Sequence, residues 1–259
     1  MLLDSNYWIT PDWPAPPNVR AAVTTRFGPG VPEPPFEAFN LGTRCGDDLQ
    51  AVAANRARLR EALVLPSEPC WLRQFHGTHV AIEPQHDEPQ ADAAVTRTPG
   101  TVLAILTADC LPVFFCAEDG SEVAAAHAGW RGLSAGMVEN TLAAMRTPDG
   151  SIMAWLGPAI GRCAYEVGEE VRDAFVAHDR AAAKAFTLSR TEYWFCDLCE
   201  LARQRLFDAG VTRIFGGGFD TFSDPRFYSH RRDGARSGRF ASLIHIASSD
   251  PASSLERHR

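Results

Sequence analysis

No apolar run in the sequence approaches the roughly 20 residues that a membrane-spanning helix requires, so no membrane helix is expected. The first fourteen residues, MLLDSNYWITPDWP, lack both a basic n-region and a long h-region, so no secretory signal is expected and the chain is assigned to the cytoplasm. Positive charge is scarce. A formal net charge of -7 over 259 residues leaves no broad basic face for nucleic acid, though a small local anion site remains compatible with it. There is no disulfide framework either: seven cysteines, an odd number, in a chain too long to need staples read as thiols, core fillers or metal ligands. Internal repeats and composition shifts that would mark a domain boundary are also missing.

What is present is ordinary for a soluble globular protein, with 45% hydrophobic and 22% charged residues in a chain long enough to bury a substantial core. Apolar and β-branched runs predict strands over 19–25, 71–75, 79–82, 102–106, 112–116, 122–126, 152–156, 211–215 and 242–246. The run 102–106 is apolar at every position, the pattern of a strand buried on both faces. Helical spacing predicts one helix capped by Asp47 or Asp48 and ending before Pro66, and others over 134–145, after an HAGWRG turn, and over 166–178. A fourth is expected over 197–209, where Asp197 and Glu200 form a D-x-x-E cap and Gly210 supplies the stop. The Gly- and Pro-rich stretch 27–48 reads as a long ordered loop, a class that often carries function. The expected fold is a single α+β domain over 19–247, a mixed β-sheet core flanked by helices. An extended arm at 1–18 precedes it and a disordered tail at 248–259 follows.

Residues able to do chemistry concentrate between Thr107 and Gly132. Cys110 precedes one apolar run and His127 follows the next, and strand ends hold side chains to the tolerance that chemistry needs. Neither is decisive alone, because free cysteines and strand-end histidines are common core residues. His76, in the turn between two expected strands, adds a third donor. Three N/S ligands with a fourth position open is the arrangement of catalytic rather than structural zinc. Asp109, Asp92 and Glu166 are candidate acids. Arg131, close after His127, is a candidate anion contact together with Arg44 and Arg56, since guanidinium forks match phosphate. For Arg44 and Arg56 a solvated surface role is the simpler reading. His79 is placed on the opposite side from His76 by strand alternation and reads as a rim histidine. Cys196 and Cys199 form a lone C-x-x-C with no second pair, a weak signal. The basic segment of Arg226, His230, Arg231, Arg232, Arg236 and Arg239 has the chemistry to bind a phosphate, a nucleic-acid backbone or an acidic surface, and with net charge negative the simpler reading is a loop held by ion pairs.

Taken together, QFHGTHV (74–80), TADCLPV (107–113), HAGWRG (127–132), GPAIGRCAYEVGEEV (157–171) and FYSHRRDGARSGR (227–239), with NLGTRCGDD (40–48) and ANRARL (54–59), resemble the motifs of the YfiH-like family. That family is also called the laccase-domain or multicopper polyphenol oxidase family, and the resemblance runs from about Val19 to Ile246. It implies a cytoplasmic zinc enzyme that phosphorolyses adenosine, inosine and methylthioadenosine and deaminates adenosine. The family's metal ligands fall on His76, Cys110 and His127, the set reached above from residue chemistry. Zinc is then the expected metal, with copper as the alternative. A purine nucleoside and phosphate are the expected partners of a monomeric protein. One departure stands out: where the family commonly has a Cys-Thr pair, this chain has Asp220-Thr221, and His230 replaces a usual aromatic residue.

Three rival readings stay open at this level. Cys110 as a thiolate nucleophile with His127 as base would make a metal-free cysteine hydrolase, in keeping with the likeness of the family's fold to a toxin deamidase. Copper-based phenol oxidation would need more histidine ligands than the chain's 8 histidines readily supply. A non-enzymatic role, such as cell-wall precursor quality control, is also attributed to some relatives.

Overall fold

The computed structural model describes residues 7–30, 36, 39–85 and 88–248. Parts of the expected arm, the long loop and nearly all of the expected tail therefore lie outside the described residues. The first half of the chain forms β1 (Trp8–Ile9), β2 (Val19–Thr24), α1 (Leu49–Ala62), β3 (Val80–Ile82), β4 (Ala93–Thr96), β5 (Leu103–Thr107), β6 (Leu111–Ala117) and β7 (Val123–Ala128). Next come α2 (Trp130–Ser134), α3 (Met137–Ala144), β8 (Ile152–Leu156), β9 (Glu166–Gly168), α4 (Glu169–Val176), β10 (Phe186–Arg190) and β11 (Tyr193–Cys196). The chain closes with α5 (Leu198–Asp208), β12 (Arg213–Gly216), α6 (His230–Asp233) and β13 (Phe240–Ile246).

The strands form a six-stranded mixed sheet in the order β12-β8-β6-β7-β4-β3, a four-stranded antiparallel sheet in the order β1-β2-β13-β5, and a small sheet β10-β11-β9. Alternation along β6 explains how the two large sheets stack. Val113 and Phe115 point into a core shared with Met137, Val138 and Leu142 of α3 and Leu201 and Leu206 of α5. Phe114 and Cys116 point the other way, into a core shared with Leu103 and Ile105 of β5 and Phe240 and Ile244 of β13. A third cluster joins Ala104 and Leu243, on the outer face of the smaller sheet, to Leu59 of α1. The result is a helix–sheet–sheet–helix stack, a single-domain α+β fold. A strand buried on both faces has to be apolar throughout, which is why 102–106 is readable from sequence. No helix among the described residues is long and apolar enough to cross a membrane.

Several expected elements take a different form. Residues 71–75 make no strand: the Gln74 side chain, not its backbone, brackets the Leu106 backbone with bonds of 2.8 and 2.9 Å, the Arg73 amide donates to the Pro89 carbonyl, and the Phe75 amide turns to Asp92. The helix expected over 134–145 begins earlier, at Trp130, and breaks at Gly136, whose φ of 99° only glycine adopts without strain. The HAGWRG segment is therefore the start of a helix rather than a turn. Residues 166–168, expected to be helical, pair as β9 with Tyr193–Phe195, and the helix starts only at Glu169. The β10-β11 hairpin and α6 were not anticipated. Asp48 caps α1 and Asp197 caps α5 through its bond to the Glu200 amide, both as expected.

Candidate metal centre and its cavity

β5 and β6 belong to different sheets, and the chain crosses between them in three residues, Ala108 to Cys110. Asp109 makes this step with a φ of 90°, a conformation costly for a residue with a side chain. The surroundings fix it there: one carboxylate oxygen accepts from Thr221 Oγ1 at 2.7 Å, and the other accepts from the Arg231 amide at 2.6 Å. Cys110 is thereby delivered to the start of β6. In the β6–β7 pair Pro112 stands opposite His127, so these two side chains share a face, and Cys110, two residues upstream of Pro112, follows the same alternation. His127 thus lies inside β7 rather than after it.

The third donor arrives through Asp92. Ala93 of β4 pairs with Ala126 of β7, which sets Asp92 beside His127, and the His127 amide donates to the Asp92 carbonyl at 2.7 Å. The buried Asp92 carboxylate accepts from His127 Nδ1 at 2.8 Å. It also accepts from the consecutive amides of Phe75, His76 and Gly77, at 3.2, 2.9 and 2.7 Å. These amides form an anion nest, and it holds His76 at a φ of 63°. One carboxylate therefore orients two of the three donors. Asp92, considered as a proton donor from sequence, is enclosed by these bonds and serves to position.

The ligand atoms of His76, Cys110 and His127 lie within 4.8 Å of one another. The His76 and His127 rings sit edge to face at 4.7 Å, and His76 Nε2 is 3.8 Å from Cys110 Sγ. Metal–nitrogen and metal–sulfur bonds of about 2.1 and 2.3 Å, meeting at tetrahedral to trigonal angles, would separate N and S by roughly 3.5–3.8 Å. With His127 Nδ1 committed to Asp92, its Nε2 is the free donor, the carboxylate–histidine pairing typical of metal ligands. The residues present therefore fit as three ligands of one metal ion, with His76 and Cys110 at ligand spacing. Gly129 packs against the cluster so closely that a Cβ there would meet Cys110 Sγ at 2.9 Å.

The electrostatics agree. Burial alone would raise the Cys110 thiol, but the charge and hydrogen bond of His127, then those of His76, bring it down to about 6. Burial would lower His127, yet the Cys110 thiolate and the Asp92 bond raise it to about 9. Burial also opposes the charge of Asp92, and the His127 bond and the amide nest hold that carboxyl below its usual range. Elsewhere the thiols go the other way: burial, with the nearby Asp197 charge, pushes Cys196 up and Cys199 up to about 12. Thiolates are the metal-binding form, so the lone C-x-x-C has the wrong environment for a site.

The cluster opens into a cavity of about 480 Å³, a size suited to small ligands. Asp109, Trp130, Arg131 and Tyr165 line it near the donors, and Arg44, Arg56, Glu88, Arg231 and Arg239 line it as well. Arg131, exposed, stacks on Trp130 at 4.5 Å and makes no ion pair among the described residues. Arg56 is not the solvated side chain expected. It donates from Nε to the Leu41 carbonyl at 3.1 Å and lies 4.1 Å over the Trp71 ring. Glu166 is not brought to the donors; its carboxylate is held by Ser189 and Arg190. His79 is likewise outside the cluster, edge to face with Phe75. Asp220 clamps loops together, accepting from the amides of Gly161 and Phe222 and from Ser223 Oγ.

Sequence reasoning missed Tyr165, Glu88, Arg231, Arg239 and His230 as cavity residues. The ion pairs expected in the basic segment exist, Arg226 with Asp224 and Arg232 with Asp233. The same segment also sends Arg231 over Tyr165, where its guanidinium donates to the Ala164 and Glu166 carbonyls. A Gly- and Arg-rich run beside a predicted last strand was the available signal for these residues.

The family described as multi-copper polyphenol oxidoreductase laccase matches residues 20–247. A protein of Xylella fastidiosa named purine nucleoside phosphorylase is 54% identical over 248 residues, covering 91% of this chain and 95% of its own. The Escherichia coli protein named purine nucleoside phosphorylase YfiH is 50% identical over 240 residues, covering 91% and 97%. Among solved structures, the Neisseria meningitidis protein NMB0706 superposes with a TM-score of 0.89 at 45% identity, covering 93% of this chain and all of that one. YlmD from Geobacillus stearothermophilus gives 0.87 at 29% identity, covering 95% and 98%. With the family matching residues 20–247 and half its residues shared with named relatives, the chain belongs to the YfiH-like, laccase-domain family.

Proposed function

We propose that the protein is a zinc-dependent purine nucleoside phosphorylase that cleaves adenosine, inosine and methylthioadenosine with phosphate and also deaminates adenosine. The observation that carries this reading is the His76–Cys110–His127 cluster opening into a cavity with an arginine-rich lining, in a chain whose relatives bear the name of phosphorylases. When bound by His76, Cys110 and His127, zinc supplies Lewis acidity at the donor end of the cavity.

The chain's own residues do the rest. In phosphorolysis a phosphate oxygen forms a bond to the sugar carbon, the bond from that carbon to the purine nitrogen breaks, and the base leaves with the electron pair and takes up a proton. Arg131, Arg44 and Arg56 give the cavity the cationic character that holds the anion, and an anion fixed in place shortens the path to attack. Trp130 and Tyr165 offer ring surface to the flat purine. Burial pushes the Tyr165 phenol up, so it stays a neutral hydrogen-bond donor. Asp109 keeps Cys110 at the sheet crossing. The test is to incubate metal-loaded protein with adenosine, with and without phosphate, and separate the products by chromatography. Adenine with ribose 1-phosphate is expected only with phosphate, and inosine in both cases; full metal content with no product sinks the reading.

One observation favours a second reading: a thiol brought down to about 6 beside His127 is also what a cysteine hydrolase needs. The two separate on alkylation. A ligand thiolate is protected from iodoacetamide by metal and exposed by chelator, whereas a nucleophile reacts equally in both. Copper oxidation fits less well, since the described residues provide a single three-donor cluster.

A further inference from the structure

We propose that inorganic phosphate binds between Arg44 and Arg56, in the place held by the Glu88 carboxylate, so that Glu88 is a built-in competitor for the anion. The proposal rests on the phosphorolysis reading and names the subsite that reading needs.

Glu88 bridges the two arginines with one oxygen each: Oε1 is 3.3 Å from Arg56 Nη1 and Oε2 is 3.8 Å from Arg44 Nη2. Both contacts are long. Arg97–Glu122 and Arg205–Glu139, elsewhere in the fold, close to 2.7 Å, the usual length for such pairs. The Glu88 carboxylate is thus loosely held by both cations, while phosphate carries more acceptor oxygens and more charge to offer the two guanidinium groups.

The two arginines differ in a way that suits exchange. Arg56 is fixed, its guanidinium stacked on Trp71 and its Nε held by the Leu41 carbonyl. Arg44 is half exposed, and its one ion pair among the described residues is the loose one to Glu88. Glu88 itself is less anchored than Asp109, the other acid lining the cavity, or Asp92 behind the donors. Asp92 and Asp109 each accept well-formed hydrogen bonds from backbone amides, whereas the Glu88 carboxylate has no partner among the described residues besides the two arginines. It is 42% exposed and its backbone sits at a φ of 47°, a left-handed conformation that favours glycine. A weakly held carboxylate on a strained residue, facing two cations inside a reaction cavity, is an anion placeholder.

The experiment uses the metal-loaded full chain and inorganic phosphate. Calorimetric titration should show Glu88→Gln binding phosphate about three- to tenfold more tightly than the unaltered protein. Arg44→Gln should bind it at least about fivefold more weakly, and because Arg44 is exposed this variant keeps the test alive if Glu88→Gln fails to fold. Unchanged or weaker phosphate binding in Glu88→Gln, or unchanged binding in Arg44→Gln, overturns the proposal. So does tighter binding of adenosine 5′-monophosphate without tighter binding of inorganic phosphate, which would make the site one for phosphate esters. Steady-state assays separate this inference from the reading beneath it. Tighter phosphate binding with no nucleoside cleavage in any variant supports the subsite and removes phosphorolysis. Cleavage whose phosphate KM is unmoved by Glu88→Gln but raised by Arg131→Gln removes the subsite and leaves phosphorolysis standing.

Discussion

The cavity has two ends built by different means. At the donor end, Cys110 stands just before β6, His127 lies in the adjacent β7, and Asp92, just before β4, ties His127 to the turn that carries His76. Each position is set by strand register and by short hydrogen bonds. At the arginine end, Arg44 comes from a loop, Arg56 from α1 and Glu88 from the segment before β4, joined by stacking and by long ion pairs. The difference teaches where rigidity is placed. Metal ligation tolerates errors of only a few tenths of an ångström, so its residues are fixed to the sheet directly or, for His76, through Asp92. Capture of a diffusing anion works through charge at longer range and leaves room for side chains to move.

The largest effect is expected from Cys110→Ala, which breaks the rigid end. Bound metal and turnover should both be lost, while the urea midpoint of the metal-free protein stays close to that of the parent. Elemental analysis and denaturation check this, and full metal content in the variant would contradict the assignment. Asp92→Asn should come next: metal affinity falls roughly 10–100-fold, and stability falls by about 2–4 kcal/mol because buried donors lose a charged acceptor. The sign with pH follows from the direction of the shift. Asp92 titrates lower in the folded chain than in the unfolded one, so its stabilisation is present above the ordinary carboxylate range and fades as pH drops through the native value. Urea titrations of metal-free protein should therefore show the gap between parent and variant constant near neutrality and closing in acid.

A smaller, sharper test uses the thiols. In metal-free protein the Cys110 peptide should be alkylated with a midpoint near pH 6, while Cys199 should stay unreactive up to the alkaline range, its own value lying at about 12. Peptide mass spectrometry across pH reads both, and similar midpoints would dissolve the contrast. The smallest effect belongs to Asp220→Ala. Freeing the Gly161 and Phe222 amides should cost about 1–2 kcal/mol of stability with turnover per bound metal unchanged, because the carboxylate fastens loops outside the cavity.

Sequence patterns disclosed the sheet scaffold because burial leaves an unambiguous trace. Runs such as 102–106 and 112–116 are apolar at every position, since each strand face meets its own core. The metal donors were legible by residue type, and their convergence follows once β6 and β7 pair. The irregular parts were not legible. Residues 71–75 look like a strand, and only the bonds from Gln74 to Leu106 and from Asp92 to Phe75 reveal another arrangement. Arg56 was read as solvated because its partners, Trp71 and the Leu41 carbonyl, are remote in sequence. Glu88 carried no signal at all, and Asp92 was recognised as an acid while its bracing role depends on β4 meeting β7.

That brace also makes the donor set a product of long-range contacts. His76, Cys110 and His127 belong to three separate stretches, and none of the motifs holds two of them. No short stretch of the chain therefore carries this donor set. It is assembled by the pairing of β4, β6 and β7 together with the bonds from the His76 turn to Asp92. A metal held by His76, Cys110 and His127 would accordingly be bound by a site that tertiary contacts, and not local sequence, assemble.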